Sequence, residues 1–240
     1  MSEKIEVLLV DLGSSTIKSA EVINGEVQNR KTWSTIEEVR NQYQGNSVIV
    51  SSVRKNLPEL RNIFDGEKDI ILSHEIKLPI KLDYKTPETL GPDRIALSVG
   101  ANHLFPERDN LIIDLGTCAT MDVVDKEATF RGGIISPGLR MRMRAMSKFT
   151  DSLPDISEEW QSIEAGDYGK TTKESLLRGS FYGMVNEING TIKTVSKDFA
   201  SINIILTGGD ANFFESRIKA HIFAGSKIVE IGLYRIWNYQ

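Results

Sequence analysis

Asp11-Leu12-Gly13-Ser14-Ser15-Thr16-Ile17-Lys18 places a carboxylate, a glycine, three hydroxyls and an ammonium within eight positions. Glycine lets the backbone approach a ligand closely and admits positive φ. The N–H groups and hydroxyls of such a turn form a concavity suited to phosphate. A carboxylate at a strand end can hold a divalent cation, directly or through water. Lys18 can add positive charge near the outer phosphates of a nucleotide. Taken singly, the segment reads equally well as an ordinary hairpin with an Asx turn. What changes the reading is a second copy, Asp114-Leu115-Gly116-Thr117-Cys118-Ala119-Thr120, again Asp-Leu-Gly followed by hydroxyl residues. A third element, Thr207-Gly208-Gly209-Asp210, follows an apolar run and offers close backbone on which a flat base and ribose could pack.

Asp93 and Arg94 stand side by side after Leu90-Gly91-Pro92, at an expected helix N-terminus. There the orphan N–H groups favour an ionised carboxylate. Asp93 could be a plain first-turn residue with Arg94 a surface charge. Alternatively Asp93 accepts a proton from a substrate hydroxyl while Arg94 holds an anionic group. Near an ordinary pKa of about 4 such a base is weak, which phosphoryl transfer tolerates because positioning carries most of the effect. Gly169-Lys170-Thr171-Thr172 resembles the end of a Walker A loop, but the required earlier glycine is Glu164 and no strand run precedes it. The basic run Arg131, Arg140, Arg142, Arg144, Lys148 is read as a solvated or partner-facing helix, and Cys118 as a small buried residue.

These residues need strands to hold them. Glu6–Val10 and Asn110–Ile113 are apolar β-type runs ending at the two Asp-Leu-Gly turns, each followed by a second β-rich run (Lys18–Ile23 and Met121–Val124). Val48–Val53, Ile70–Leu72 and Ile202–Leu206 are further strand candidates; Asp93–His103, Leu139–Phe149 and Lys173–Lys197 read as helices, and Gly132–Gly138 as a glycine-rich turn. Two copies about a hundred positions apart imply a duplicated unit. The polar Phe105–Asp109 break sets the expected boundary: an N-terminal domain at 1–108 and a C-terminal domain at 109–240.

Composition narrows the function. The 240 residues carry 29 basic and 33 acidic side chains, a net charge of −4, which argues against a general nucleic-acid partner. A single cysteine excludes an internal disulfide and suggests a reducing, cytoplasmic compartment; three scattered histidines offer no zinc spacing. No apolar run approaches the length needed to span a bilayer, so no membrane partner is expected.

The order of the motifs resembles the type III pantothenate kinase family. The first Asp-x-Gly loop, Tyr84-Lys85-Thr86-Pro87, Gly91-Pro92-Asp93-Arg94, and Asp114 to Asp122 all find counterparts. So do Gly132-Gly133 through Pro137-Gly138, Leu153-Pro154, Gly169–Thr172 and Thr207-Gly208-Gly209, in order along nearly the whole chain. The resemblance implies an α/β fold of two duplicated ribonuclease H-like domains (acetate/sugar kinase–Hsp70–actin type) with an interdomain cleft. It implies ATP-dependent phosphorylation of pantothenate to 4′-phosphopantothenate, the first step of coenzyme A biosynthesis. Asp11, Leu12, Gly13, Ser14, Ser15, Thr16, Ile17 and Lys18 would then bind ATP, with Asp11 near Mg²⁺ and Thr117 also touching the nucleotide. Tyr84, Gly91, Pro92, Asp93 and Arg94 would contact pantothenate, Asp93 as proton acceptor. Asp114 would hold a monovalent cation, K⁺ or NH₄⁺, and Thr172 would reach pantothenate across a homodimer interface. Ser14, Ser15 and Cys118 stand where the family has Asn, Thr and Ala. Two other readings stay open: a kinase of the same fold for another small substrate, and a non-catalytic regulatory accessory protein.

Overall fold

A computed structural model describes residues 4–54, 57–64, 66–164, 166–199, 201–225 and 227–240. In chain order its first half contains β1 (Val7–Leu12), β2 (Ile17–Ile23), β3 (Glu26–Trp33), α1 (Ile36–Gln42), β4 (Val48–Ser52), α2 (Leu57–Ile63), β5 (Ile70–Ile71), β6 (Lys81–Leu82) and α3 (Pro92–Leu104). There follow β7 (Asn110–Leu115), β8 (Cys118–Val124), β9 (Thr129–Pro137), α4 (Leu139–Lys148), α5 (Thr172–Leu177) and α6 (Gly183–Asp198). The chain ends with β10 (Asn203–Thr207), α7 (Ala211–Phe214), β11 (Ile222–Ala224) and α8 (Ile228–Trp237).

The duplication in the sequence is a duplication of topology. One sheet runs β3-β2-β1-β4-β5; the other runs β9-β8-β7-β10-β11 in the same sense, with β6 added beyond β9. Strand β1 is antiparallel to β2 and parallel to β4. Strands β1 and β7 share one burial pattern, buried throughout except at the aspartate. Such strands read as continuous apolar runs because both faces are covered. On one face of the first sheet, Leu8, Val10 and Leu12 pack with Ile36 and Val39 of α1 and Leu60 of α2. The alternate residues, Val7, Leu9 and Asp11, therefore turn toward the other face, where α8 packs on β1 and β4 and α3 packs on β4.

The tight turn between β2 and β3 is Asn24-Gly25, both at positive φ (52° and 77°), the pair a two-residue hairpin favours. Helix α8 lies along α3 at very close range. A methyl group on Gly232 would strike the Ala96 carbonyl, and one on Gly100 would strike the backbone of Ile228. Only hydrogen at both positions lets these helices meet. Helix α8 is also tied to the β2–β3 hairpin: Arg30 pairs with Glu230 at 2.6 Å, and Lys227 donates to the Val27 carbonyl at 3.2 Å.

By packing, one compact unit gathers Met1–Asn110, Asp122–Gly132 and Ser226–Gln240, and a second gathers Leu111–Met121 and Gly133–Gly225. In the second unit α6 buries Met184, Val185 and Ile188. Phe181 stacks on Phe214 at 4.7 Å between ring centroids, and Trp160 meets Phe213 edge-on at 4.9 Å. The helix expected at Lys173–Lys197 is present but broken by a π-helical turn, Arg178–Tyr182, between α5 and α6.

Two expectations are corrected. Residues 132–137 belong to strand β9 rather than to a turn, with Gly138 following as the N-cap of α4, because neighbouring strands supply hydrogen bonds that glycine composition alone does not advertise. Cys118, expected to be buried, is partly exposed, since it begins β8 at the mouth of the turn. The arginines of α4 are largely committed within the second unit: Arg140 pairs with Asp210 at 2.6 Å, Arg142 with Glu187, and Arg144 with Glu158.

Candidate active site

In the first unit, β1 delivers Asp11 one residue before its end, and the chain turns through Gly13 to Thr16 before returning as β2. The antiparallel register sets Asp11 opposite Lys18 and Leu12 opposite Ile17. Directly opposed residues share a face, so the carboxylate and the ammonium stand on the same side. Leu12 and Ile17 are buried and anchor the hairpin, leaving Ser14, Ser15 and Thr16 exposed at its tip. Arg54, which the motif reading passed over, donates from Nε to the Gly13 carbonyl at 3.0 Å and braces the turn. Its signal was present only as a basic residue just beyond β4, the strand paired with β1.

Asp11 is electrostatically strained. Its Oδ1 is buried and has no hydrogen-bond partner among the described residues. Burial pushes its carboxyl up from 3.8 to about 6, and Asp93 adds to the rise; Lys18 opposes it and Glu230 reinforces it. The strand alternation explains the company Asp11 keeps. It faces α3, which carries Asp93, and α8, which carries Glu230. A buried anionic oxygen without a donor is the kind of group a hard divalent cation satisfies.

Helix α3 starts with Gly91 as N-cap and Pro92 as the first helical residue, where the missing N–H costs nothing. A side chain at Gly91 would collide with Asp93 Oδ1. That oxygen accepts the Arg94 backbone N–H at 2.8 Å. Burial raises the Asp93 carboxyl above its ordinary value, with the Arg94 backbone bond and charge opposing it. A carboxyl raised in this way takes up a proton more readily than that of a solvated aspartate.

Arg94 turns inward instead of lying on the surface. Only 5% exposed, it bonds Asp122, itself 1% exposed: Nε lies 3.1 and 3.0 Å from the two carboxylate oxygens, and a terminal nitrogen also bonds Oδ1. The guanidinium carbon is 5.9 Å from the Tyr84 ring centroid and 5.6 Å from that of Phe130. Those rings meet edge to face at 5.7 Å. The first unit thus brings together Asp11, Lys18, Tyr84, Gly91, Pro92, Asp93 and Arg94, and adds Asp122 and Glu230, which the motifs left without a role.

The second unit holds Asp114, Thr117 and Thr172. Asp114 occupies in β7 the place Asp11 has in β1. The following turn closes with the Gly116 N–H donating to the Cys118 carbonyl at 3.0 Å, leaving Thr117 exposed. Two neighbouring segments clamp it. Gly138 N–H donates to the Thr117 carbonyl at 3.1 Å, and Asp210 N–H donates to the Leu115 carbonyl at 2.9 Å. Gly208, at φ 98°, presses against Leu115 so closely that a Cβ would sit 2.5 Å from Asp114 Oδ1. The Thr-Gly-Gly-Asp segment therefore lies beside the second loop, as close backbone. Thr172 is apart from these contacts, exposed in the first turn of α5, whose N-cap Thr171 accepts from Glu174 N–H at 3.2 Å.

Comparison with known proteins identifies the family. The family profile of type III pantothenate kinase matches residues 7–194. A type III pantothenate kinase of Cytophaga hutchinsonii is 40% identical over 236 residues, covering 97% of this chain and 99% of that protein. One from Flavobacterium psychrophilum is 38% identical, covering 98% and 99%. Among solved structures, a Baf family transcriptional activator of Campylobacter jejuni matches with a TM-score of 0.65 at 21% identity, covering 97% of this chain and 98% of that one. A ROK hexokinase of Thermus thermophilus matches at 0.55 and 13% identity, covering 96% and 97%. At such identities these structures speak for the fold alone, the duplicated ribonuclease H-like arrangement shared with sugar kinases and actin-like proteins. With a profile over most of its length and relatives matching along 97% of it, the chain belongs to the type III pantothenate kinase family.

Proposed function

We infer that this chain transfers the γ-phosphoryl group of ATP to the primary alcohol of pantothenate, giving 4′-phosphopantothenate and ADP in the first step of coenzyme A biosynthesis. Membership of the family supports the reaction. One observation carries the assignment of residues: Asp93, with its carboxyl raised by burial, stands at the start of α3 beside a fixed arginine and electrostatically close to Asp11. The hydroxyl of pantothenate would give its proton to Asp93 as its oxygen bonds to phosphorus and the bond to the ADP oxygen breaks. Such transfers depend mainly on positioning and charge stabilisation. Tyr84, Gly91, Pro92 and Arg94 would hold the acceptor, and Asp11 to Lys18 together with Thr117 the nucleotide.

Asp11 would hold Mg²⁺, which when bound offsets negative charge on the phosphates. Asp114 would hold K⁺ or NH₄⁺, its carboxylate beside the backbone of Gly208 offering the oxygen donors such an ion takes. We also read the sequence repeat as 1–108 and 109–240, with α8 returning to pack on α3. For a homodimer in which Thr172 serves the partner's pantothenate, the support in this chain is that large apolar side chains of the second unit, Ile135, Phe149 and Tyr168, are exposed. No helix among the described residues is long and apolar enough to cross a membrane.

ATP consumption by the purified protein, with and without pantothenate and with K⁺ exchanged for Na⁺, tests the reading. Turnover that needs pantothenate and falls when K⁺ is removed is expected. Absence of pantothenate-dependent turnover with any cation would overturn it.

A further inference from the structure

We propose that Asp122 is a positioning residue for the acceptor substrate: it fixes the Arg94 guanidinium so that its uncommitted N–H groups face an anionic group of that substrate. The inference rests on Arg94 being an acceptor-binding residue. An arginine carries five N–H donors in a rigid planar fork. Asp122 occupies the Nε donor and one terminal donor, and the Tyr84 side chain also bonds the guanidinium, so the donors that remain are few and their direction is fixed. The Tyr84 and Phe130 rings lie within 6 Å of the guanidinium carbon, at 5.9 and 5.6 Å, and border it on their side.

Two things follow from this packing. First, a cation as buried as Arg94 requires a hydrogen-bonded counter-charge, and Asp122 is the carboxylate that bonds it. Second, a neutralised pair attracts an anion through directed donors instead of net charge, so orientation decides affinity. Nor is Arg94 spent on its neighbour in sequence, since Asp93 Oδ1 accepts the Arg94 backbone N–H while the guanidinium goes to Asp122. Asp122 thus keeps the arginine directed and leaves Asp93 for proton transfer. The two residues are 28 positions apart, on α3 and β8, and only the fold joins them.

The test is steady-state kinetics of the full chain in pantothenate and in ATP, with thermal melting of each variant. Asp122→Asn keeps the shape and removes the charge; a tenfold or larger rise in pantothenate KM is expected, with ATP KM changed by less than about twofold. Asp122→Glu keeps the charge but displaces the carboxylate by one methylene, so it serves if the Asn variant does not fold. It should also raise pantothenate KM while holding the melting temperature. Unchanged pantothenate KM in whichever of these folds would overturn the proposal. In the Arg94→Gln background, Asp122→Asn should add almost nothing, because its effect passes through Arg94. Multiplying losses in the double variant would overturn that route. Should Arg94→Gln alone leave pantothenate KM unaltered, the acceptor-binding role of Arg94 is what fails, a result distinct from failure of Asp122 to position it.

Discussion

Asp11→Asn should stabilise this protein while abolishing its activity. The native carboxyl is raised from 3.8 to about 6 by burial, with Asp93 and Glu230 adding to the rise against Lys18. A difference of 6 − 3.8 = 2.2 units, at about 1.4 kcal/mol per unit, makes ionised Asp11 destabilising by about 3 kcal/mol. Between pH 3.8 and 6 the folded chain binds this proton more tightly than the unfolded chain, so stability falls as pH rises through that window and stays low above it. Asparagine is neutral at every pH and nearly the same size. At pH 8, in chelator and without nucleotide, the variant should therefore melt higher. A gain of about 1–3 kcal/mol corresponds to roughly 2–12 °C for a chain of this length. Near pH 4 the gain should shrink toward zero, because the wild-type carboxyl is then protonated too. Nucleotide with Mg²⁺ should raise the melting temperature of the wild type much more than that of the variant. An Asn variant no more stable than wild type at pH 8, or one whose advantage persists unchanged at pH 4, would refute the electrostatic reasoning.

Asp93→Asn should remove turnover while leaving ATP affinity, read by calorimetry, within a few-fold of wild type; near-normal kcat would take Asp93 out of the proton-acceptor role. Gly232→Ala forces a methyl group into the Ala96 carbonyl across the α3–α8 contact. Denaturant unfolding should register a loss of about 1–3 kcal/mol or more, and pantothenate KM should rise because α3 carries Asp93 and Arg94. Gly208→Ala combines a left-handed backbone, φ 98°, with a collision against Leu115 and Asp114. It should cost about 1–3 kcal/mol and weaken nucleotide binding measured by fluorescence titration, whereas wild-type affinity would show that the close approach is dispensable.

Some of this molecule is legible one segment at a time. The two Asp-Leu-Gly turns, the apolar runs leading into them, and the glycine-proline start of α3 are local patterns, fixed by φ preferences and by which residues alternate along a strand. The repeated turns announced a duplicated unit, whereas the β2–β3 hairpin at Asn24-Gly25 was not anticipated. The charge state of the site was not legible, because desolvation depends on what packs around a group. Asp11 reads in sequence as an ordinary strand-end carboxylate; α3 and α8, arriving from distant parts of the chain, bury it and bring Asp93 and Glu230 near it. Arg94 reads as a surface charge until β8 supplies Asp122, and the basic run on α4 reads as solvated until Asp210 and Glu187 reach it. Sequence determined which groups this protein could use in chemistry. Tertiary structure decided which are buried, which are paired, and which are left free for a substrate, because those are properties of neighbours that meet only when the chain folds.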